Sequence, residues 1–184
     1  MFQNLYKWIH FKSLRRKHRK KGTDTISFSE AVSNVRNILI CLPTNHREFR
    51  LARYVLKHLP QNDENHHITF VVKEEFRNQV PVREDDTIVT INDEYRDKTG
   101  RFSDEIERSI LNSQYHAAAD YNITFDYGTA LLCIKSGAPL RIGFETPHSD
   151  LFFNVEIERN KDKFLLEGAY HSIQKLLAID KKPE

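Results

Sequence analysis

Between residues 37 and 179, short apolar runs alternate with longer stretches whose apolar residues recur every three or four positions. That alternation leaves few architectures open, because strand–helix–strand units in one sheet place their strands parallel and their helices on the faces. "NILICLP" (37–43) is a continuous apolar run closed by proline and predicts a buried parallel strand. "HREFRLARYVLKHLP" (46–60) predicts a helix, with Phe49, Leu51, Ala52, Val55, Leu56 and Leu59 on one face and Pro60 as its stop. "HITFVV" (67–72) and "DTIVTI" (86–91) predict the second and third strands. Ser103 predicts a helix start, with Asp104 and Glu105 in the first turn and Ile106, Ile110 and Leu111 facing inward. "YNITFDY" (121–127) predicts the fourth strand, "TALLCIKSG" a helix ended by Gly137, "PLRIGF" the fifth strand and "LFFNVEI" (151–157) a sixth. A last helix is predicted over 161–179, on Phe164, Leu165, Ala169, Ile173, Leu176 and Leu177. The expected class is α/β, a mostly parallel sheet with helices on both faces, spanning 37–179 as one domain. A linker and short helix (22–36) precede it and a short tail (180–184) follows.

Ahead of the domain lies a segment of different character. Residues 1–21 hold eight Lys or Arg and no acid, whereas 22–184 hold 20 basic and 26 acidic residues, a net of −6. A uniformly basic nucleic-acid binder does not divide its charge this way. Phe2, Leu5, Tyr6 and Ile9 form an apolar stripe at helical spacing, followed by the basic run. Trp8, Lys12, Arg15, Arg16, Lys17, Arg19, Lys20 and Lys21 are therefore expected to contact an anionic membrane surface or another polyanion. A solvated tail, or a helix packed on the domain or on a second copy, fits the same pattern. Lys7, His10 and Lys12 interrupt the stripe, so it is not a secretory signal. No apolar run approaches the roughly 18 residues of a membrane span. The expected location is cytoplasmic, peripheral at the inner membrane where the tail engages it.

Ligands in parallel α/β sheets bind outside the carboxyl ends of the strands. The loop after the first strand, "PTNHREF", contains no glycine, which argues against a dinucleotide or P-loop site there. Thr44, Asn45, His46 and Arg47 can contact an anion at the helix start, or Thr44 or Asn45 can simply cap that helix. Asp126 closes the predicted fourth strand, with Tyr127 after it. It can act as a base, hold a ligand hydroxyl or cap the next helix. His46 and Asp126 are the two weak catalytic candidates, and no catalytic residue is assigned. Adjacent His66 and His67 point to opposite faces if they lie on a strand, and no HExxH or CxxC occurs, so no metal is expected. Glu74/Glu75 and Asp85/Asp86 lie in polar stretches and read as solvated loops. Cys41 and Cys133 read as buried free thiols. No cofactor is expected.

The segment 119–157, "ADYNITFDYGTALLCIKSGAPLRIGFETPHSDLFFNVEI", resembles the family 9 glycosyltransferases, the lipopolysaccharide heptosyltransferases. The matching residues are Asp126, Ser136, Gly137, Ala138, Arg141, Ile142, Gly143, Phe144, Leu151, Phe152, Phe153 and Asn154. The resemblance implies one Rossmann-like half of a two-domain GT-B fold. In that family the N-terminal half holds a lipid-linked sugar acceptor and the C-terminal half a nucleotide-sugar donor. This chain covers the first half only, and "AYHSIQKLLAI" is similar to the helix that leads into the interdomain linker. The family's Gly-Asp pair after the first strand, whose Asp is the proposed base, is replaced by "PTNHREF". The expectation is a non-catalytic binding or adaptor domain with a protein partner at the inner membrane surface. The alternatives are an active or split glycosyltransferase acting with a separate donor domain, and a nucleic-acid-associated protein working through the basic tail. The acidic body disfavours the last.

Overall fold

The computed structural model describes residues 32–60, 65–158 and 163–179. The basic segment 1–21, most of the linker 22–36, the tail 180–184 and the side chains of Phe164 and Leu165 lie outside them. Six strands form one sheet: β1 (Asn37–Cys41), β2 (His67–Lys73), β3 (Thr87–Ile91), β4 (Ala117–Asp120), β5 (Leu140–Phe144) and β6 (Val155–Ile157). Their order is β3-β2-β1-β4-β5-β6 and every neighbouring pair is parallel. The fold is therefore Rossmann-like, with the sheet reversing direction of growth between β1 and β4. In register, Leu39 of β1 lies between Thr69 of β2 and Ala118 of β4.

Alternate strand residues feed two cores. Ile38, Ile40, Phe70, Ala117, Ala119 and Ile142 face one side, under α1 (His46–Leu56) and α4 (Lys163–Leu176). Leu39, Cys41, Val71 and Ala118 face the other, under α2 (Asp104–Leu111) and α3 (Tyr127–Lys135). Because both faces are covered, the strands can be apolar throughout, which is the pattern "NILIC" and "ITFVV" announce. No helix among the described residues is long and apolar enough to cross a membrane.

The caps behave as the sequence indicates. Asn45 Oδ1 accepts from Glu48 N at 2.9 Å and starts α1, and Ser103 caps α2. Past α3, Gly137 takes the left-handed conformation (φ 71°) that lets the chain leave the helix. Four expectations need correction. The fourth strand is not 121–127 but "AAAD" (Ala117–Asp120), and residues 122–126 form a loop beyond it. The sixth strand is only Val155–Ile157, because Ser149–Leu151 make a 3-10 turn. Asp86 is not solvated: its side chain is fully buried, accepting from Ile68 N (3.2 Å) and pairing with Arg83 (2.7 Å). The first and last helices are also shorter than expected, ending at Leu56 and Leu176.

Candidate functional site

The carboxyl ends of β1 and β4 flank the point where the sheet changes direction, and the chain packs its polar side chains there. The loop after β4 sets the geometry. Asp120, the last residue of β4, is almost fully buried. Its Oδ1 accepts from Asn122 N (3.0 Å) and Nδ2 (2.6 Å), and its Oδ2 accepts from Thr129 Oγ1 (2.8 Å). Three such bonds favour a carboxylate, yet burial outweighs them and pushes the Asp120 carboxyl up to about 7. Asn122 Oδ1 in turn accepts from Thr44 N at 2.9 Å, which ties the loop after β1 to the loop after β4.

Asp126 stands in front of this network. It does not end a strand; it lies six residues beyond Asp120 as the N-cap of α3. Its Oδ1 accepts from Thr129 N (3.1 Å) and Arg96 Nη1 (2.9 Å), and its Oδ2 from Arg96 Nη2 (2.9 Å) and Thr44 Oγ1 (3.3 Å). Arg96 arrives from the segment after β3 and forms a bidentate fork, the strongest geometry for such a pair. Its guanidinium lies 4.3 Å from the centre of the Phe102 ring, a cation–π contact. Gly128 makes room for this approach. A Cβ at that position would lie 2.7 Å from Arg96 Nη1 and 2.8 Å from Phe102 Cε2.

Glu48 holds the same loop from the other side. From the first turn of α1 its carboxylate accepts from Ile123 N (2.8 Å), Thr124 N (3.2 Å) and Thr124 Oγ1 (2.7 Å).

The six residues singled out in the sequence separate into two groups. Thr44, Asn45, Asp126 and Tyr127 are engaged internally: Asn45 caps α1, and Tyr127 is buried in an edge-on contact with the Phe152 ring. Burial pushes the Tyr127 hydroxyl up to about 12. His46 and Arg47 face outward, and His46 Nε2 lies 3.4 Å from Glu75 Oε2 with most of its side chain exposed. Sequence reasoning did not single out Arg96, Asp120, Asn122, Thr129 or Glu48.

No family model matches the chain, and no curated protein matches it. Solved structures do. Heptosyltransferase WaaC of E. coli, solved with ADP, superposes with a TM-score of 0.59 at 15% identity, over 80% of this chain and 49% of its own. The same protein with ADP-2-deoxy-2-fluoro heptose gives 0.58 at 16%, over 80% and 50%. The glycosyl transferase family 9 protein of Veillonella parvula gives 0.59 at 15%, over 82% and 44%. The fold is that of half a family 9 glycosyltransferase. The chain spans about half the length of these structures.

The glycosyltransferase-like segment 136–154 proves to be a lock on the sheet edge. Asn154 Oδ1 accepts from Arg141 N (2.8 Å), and Asn154 Nδ2 donates to Pro139 O (2.6 Å). Arg141 Nε and Nη1 donate to Phe152 O and Ala138 O, each at 2.9 Å. The Phe153 ring lies directly on Gly143, where a Cβ would come within 2.4 Å of Cε2. These residues fix β5, the turn after it and β6 against one another, at the opposite end of the sheet from β3.

Proposed function

We propose that this chain is a glycosyltransferase-like domain that binds without transferring, acting as an adaptor at the inner membrane surface. The observation that carries the reading is the engagement of Asp126. Its carboxylate accepts from both Arg96 Nη atoms and from Thr129 N, and Thr44 Oγ1 lies 3.3 Å from Oδ2. A general base must reach the proton it abstracts, and this carboxylate is committed to joining the segments after β1, β3 and β4. Asp120 lies behind it with three donors of its own. The experiment is calorimetry and nucleotide-release assay of the full chain with ADP- and UDP-linked sugars. Neither saturable binding nor turnover is expected with these sugars; tight, saturable binding or turnover would sink the reading.

One observation favours a second reading, an active transferase working with a separate donor domain. His46 is exposed beside Glu75 at the start of α1, past the carboxyl end of β1, where a base acting on an acceptor hydroxyl would stand. Under that reading turnover appears on adding the donor domain and disappears in His46→Gln.

A further inference from the structure

The outer face of α1 carries residues that, His46 apart, neither reading uses. Glu48, Phe49, Ala52, Val55 and Leu56 turn inward, so the opposite stripe is Arg47, Arg50, Leu51 and Tyr54, spaced i, i+3, i+4 and i+7. Beside it runs α4, presenting Leu166 and Glu167. Together with His46 these residues line an open groove of about 510 Å³.

Its chemistry is mixed in a specific way. Two arginines and a histidine stand against one acid, in a body whose net charge is −6. Arg47 and Arg50 form no ion pair among the described residues. Tyr54 is 53% exposed, one of three exposed large apolar side chains in the described residues. Leu51 and Leu166 are half-buried along the same groove. Exposed Tyr and Arg beside a small apolar floor are what the centres of protein–protein interfaces are made of.

We propose that this groove docks an acidic peptide segment of a partner protein, with carboxylates on Arg47 and Arg50 and an apolar side chain between them on Leu51, Tyr54 and Leu166. Paired guanidiniums select carboxylates by fork geometry, and arginine clusters reading acidic motifs are a recurring recognition mode. The apolar floor has no use for an inorganic anion. A flat membrane surface does not fill a concave groove between two helices. The proposal holds whether or not the domain supports transfer, because its contacts are Arg47, Arg50, Leu51, Tyr54 and Leu166, which neither reading uses.

The test is fluorescence anisotropy of the full chain with a dye-labelled peptide of sequence Glu-Leu-Glu-Phe-Asp. Residues 1–21 also attract acid, so the quantity read is the loss on reversing charge in the groove. Saturable binding is expected, weakened about tenfold or more by Arg47→Glu with Arg50→Glu and severalfold by Tyr54→Ala. Arg108→Glu, on the exposed side of α2, is expected to leave it unchanged. The reversed helix still folds, since both positions are exposed and an acid early in a helix is favoured. Absent saturation, equal loss in Arg108→Glu, or no loss on the double reversal overturns the proposal. So does phosphatidylglycerol vesicle binding that falls with the double reversal while peptide binding stays, which would give the groove to a membrane.

Discussion

Asp126 shows how much one side chain can be asked to hold. It caps α3, forks with Arg96 and reaches Thr44, so three loops at the carboxyl edge meet on one carboxylate. Both members of the Arg96 pair are 14% exposed, so solvent screens them only partly. Asp126→Asn removes the nearer carboxylate of Arg96, leaving it Asp93 at 3.5 Å, and should cost about 2 kcal/mol in urea denaturation. In a double-mutant cycle with Arg96→Met the two losses should be far from additive; additive losses would mean the pair contributes little. Asp120 gives a prediction of opposite kind. Its folded value, about 7, lies above the ordinary aspartate value of 3.8. The folded state therefore holds a proton that the unfolded chain has released. Stability contributed by this group is complete below pH 4, falls as pH rises toward 7, and is level above that. The span is about 4 kcal/mol at most. Asp120→Asn should flatten the profile between pH 4 and 7, as read from melting temperatures across that range; an unchanged slope would place the carboxyl at an ordinary value. The cap role of Asp126 was legible, since aspartate is among the residues favoured at helix N-caps. Arg96 was not, because it lies 30 residues away in the polar stretch "EYRDKTG" and only the fold brings it across.

At the scale of elements, most strands and helices can be read from periodicity, and the one serious error is instructive. "AAAD" has low intrinsic strand preference, while "NITF" alternates apolar and polar residues. Yet the alanines form the strand. Ala117 and Ala119 face one core and Ala118 the other, in the centre of a sheet covered on both sides. The alternation in "NITF" is real but serves the loop: Ile123 packs toward the first core and Phe125 toward the second, without pairing to any strand. Tertiary position overrode propensity, and with it went the placement of Asp126. The segment 136–154 shows the converse, a pattern that is legible but whose meaning lies in packing. Gly143 exists to let Phe153 lie on β5, so Gly143→Ala forces the ring aside. The expected cost is about 1–3 kcal/mol by thermal or urea unfolding. Phe153→Leu in the same chain should recover part of it, and no recovery would mean that the glycine is needed for the backbone instead.

Across the whole molecule, charge is divided more sharply than mass. Eight Lys or Arg in the first 21 residues precede a body of net −6. An anionic bilayer repels that body and attracts the tail, and the balance depends on distance. At about 0.1 M salt, charges farther than roughly 10 Å are screened, so a body held off the surface loses most of its repulsion while residues at the headgroups keep their attraction. Each basic residue there contributes about 1 kcal/mol, ample to hold the chain without a lipid anchor. We therefore expect the full chain to sediment with phosphatidylglycerol vesicles and not with phosphatidylcholine ones. Deleting residues 1–21 should abolish sedimentation, and raising salt toward 1 M should release the full chain, because screening then acts within about 3 Å. Trp8 separates this attachment from a purely electrostatic one. If the apolar stripe enters the interface, Trp8→Ala weakens sedimentation and the tryptophan emission of the wild type shifts blue on vesicles. The chain's one tryptophan makes that signal unambiguous. Should the deletion leave sedimentation intact but abolish retention on duplex DNA or RNA, the tail serves nucleic acid and the membrane assignment fails.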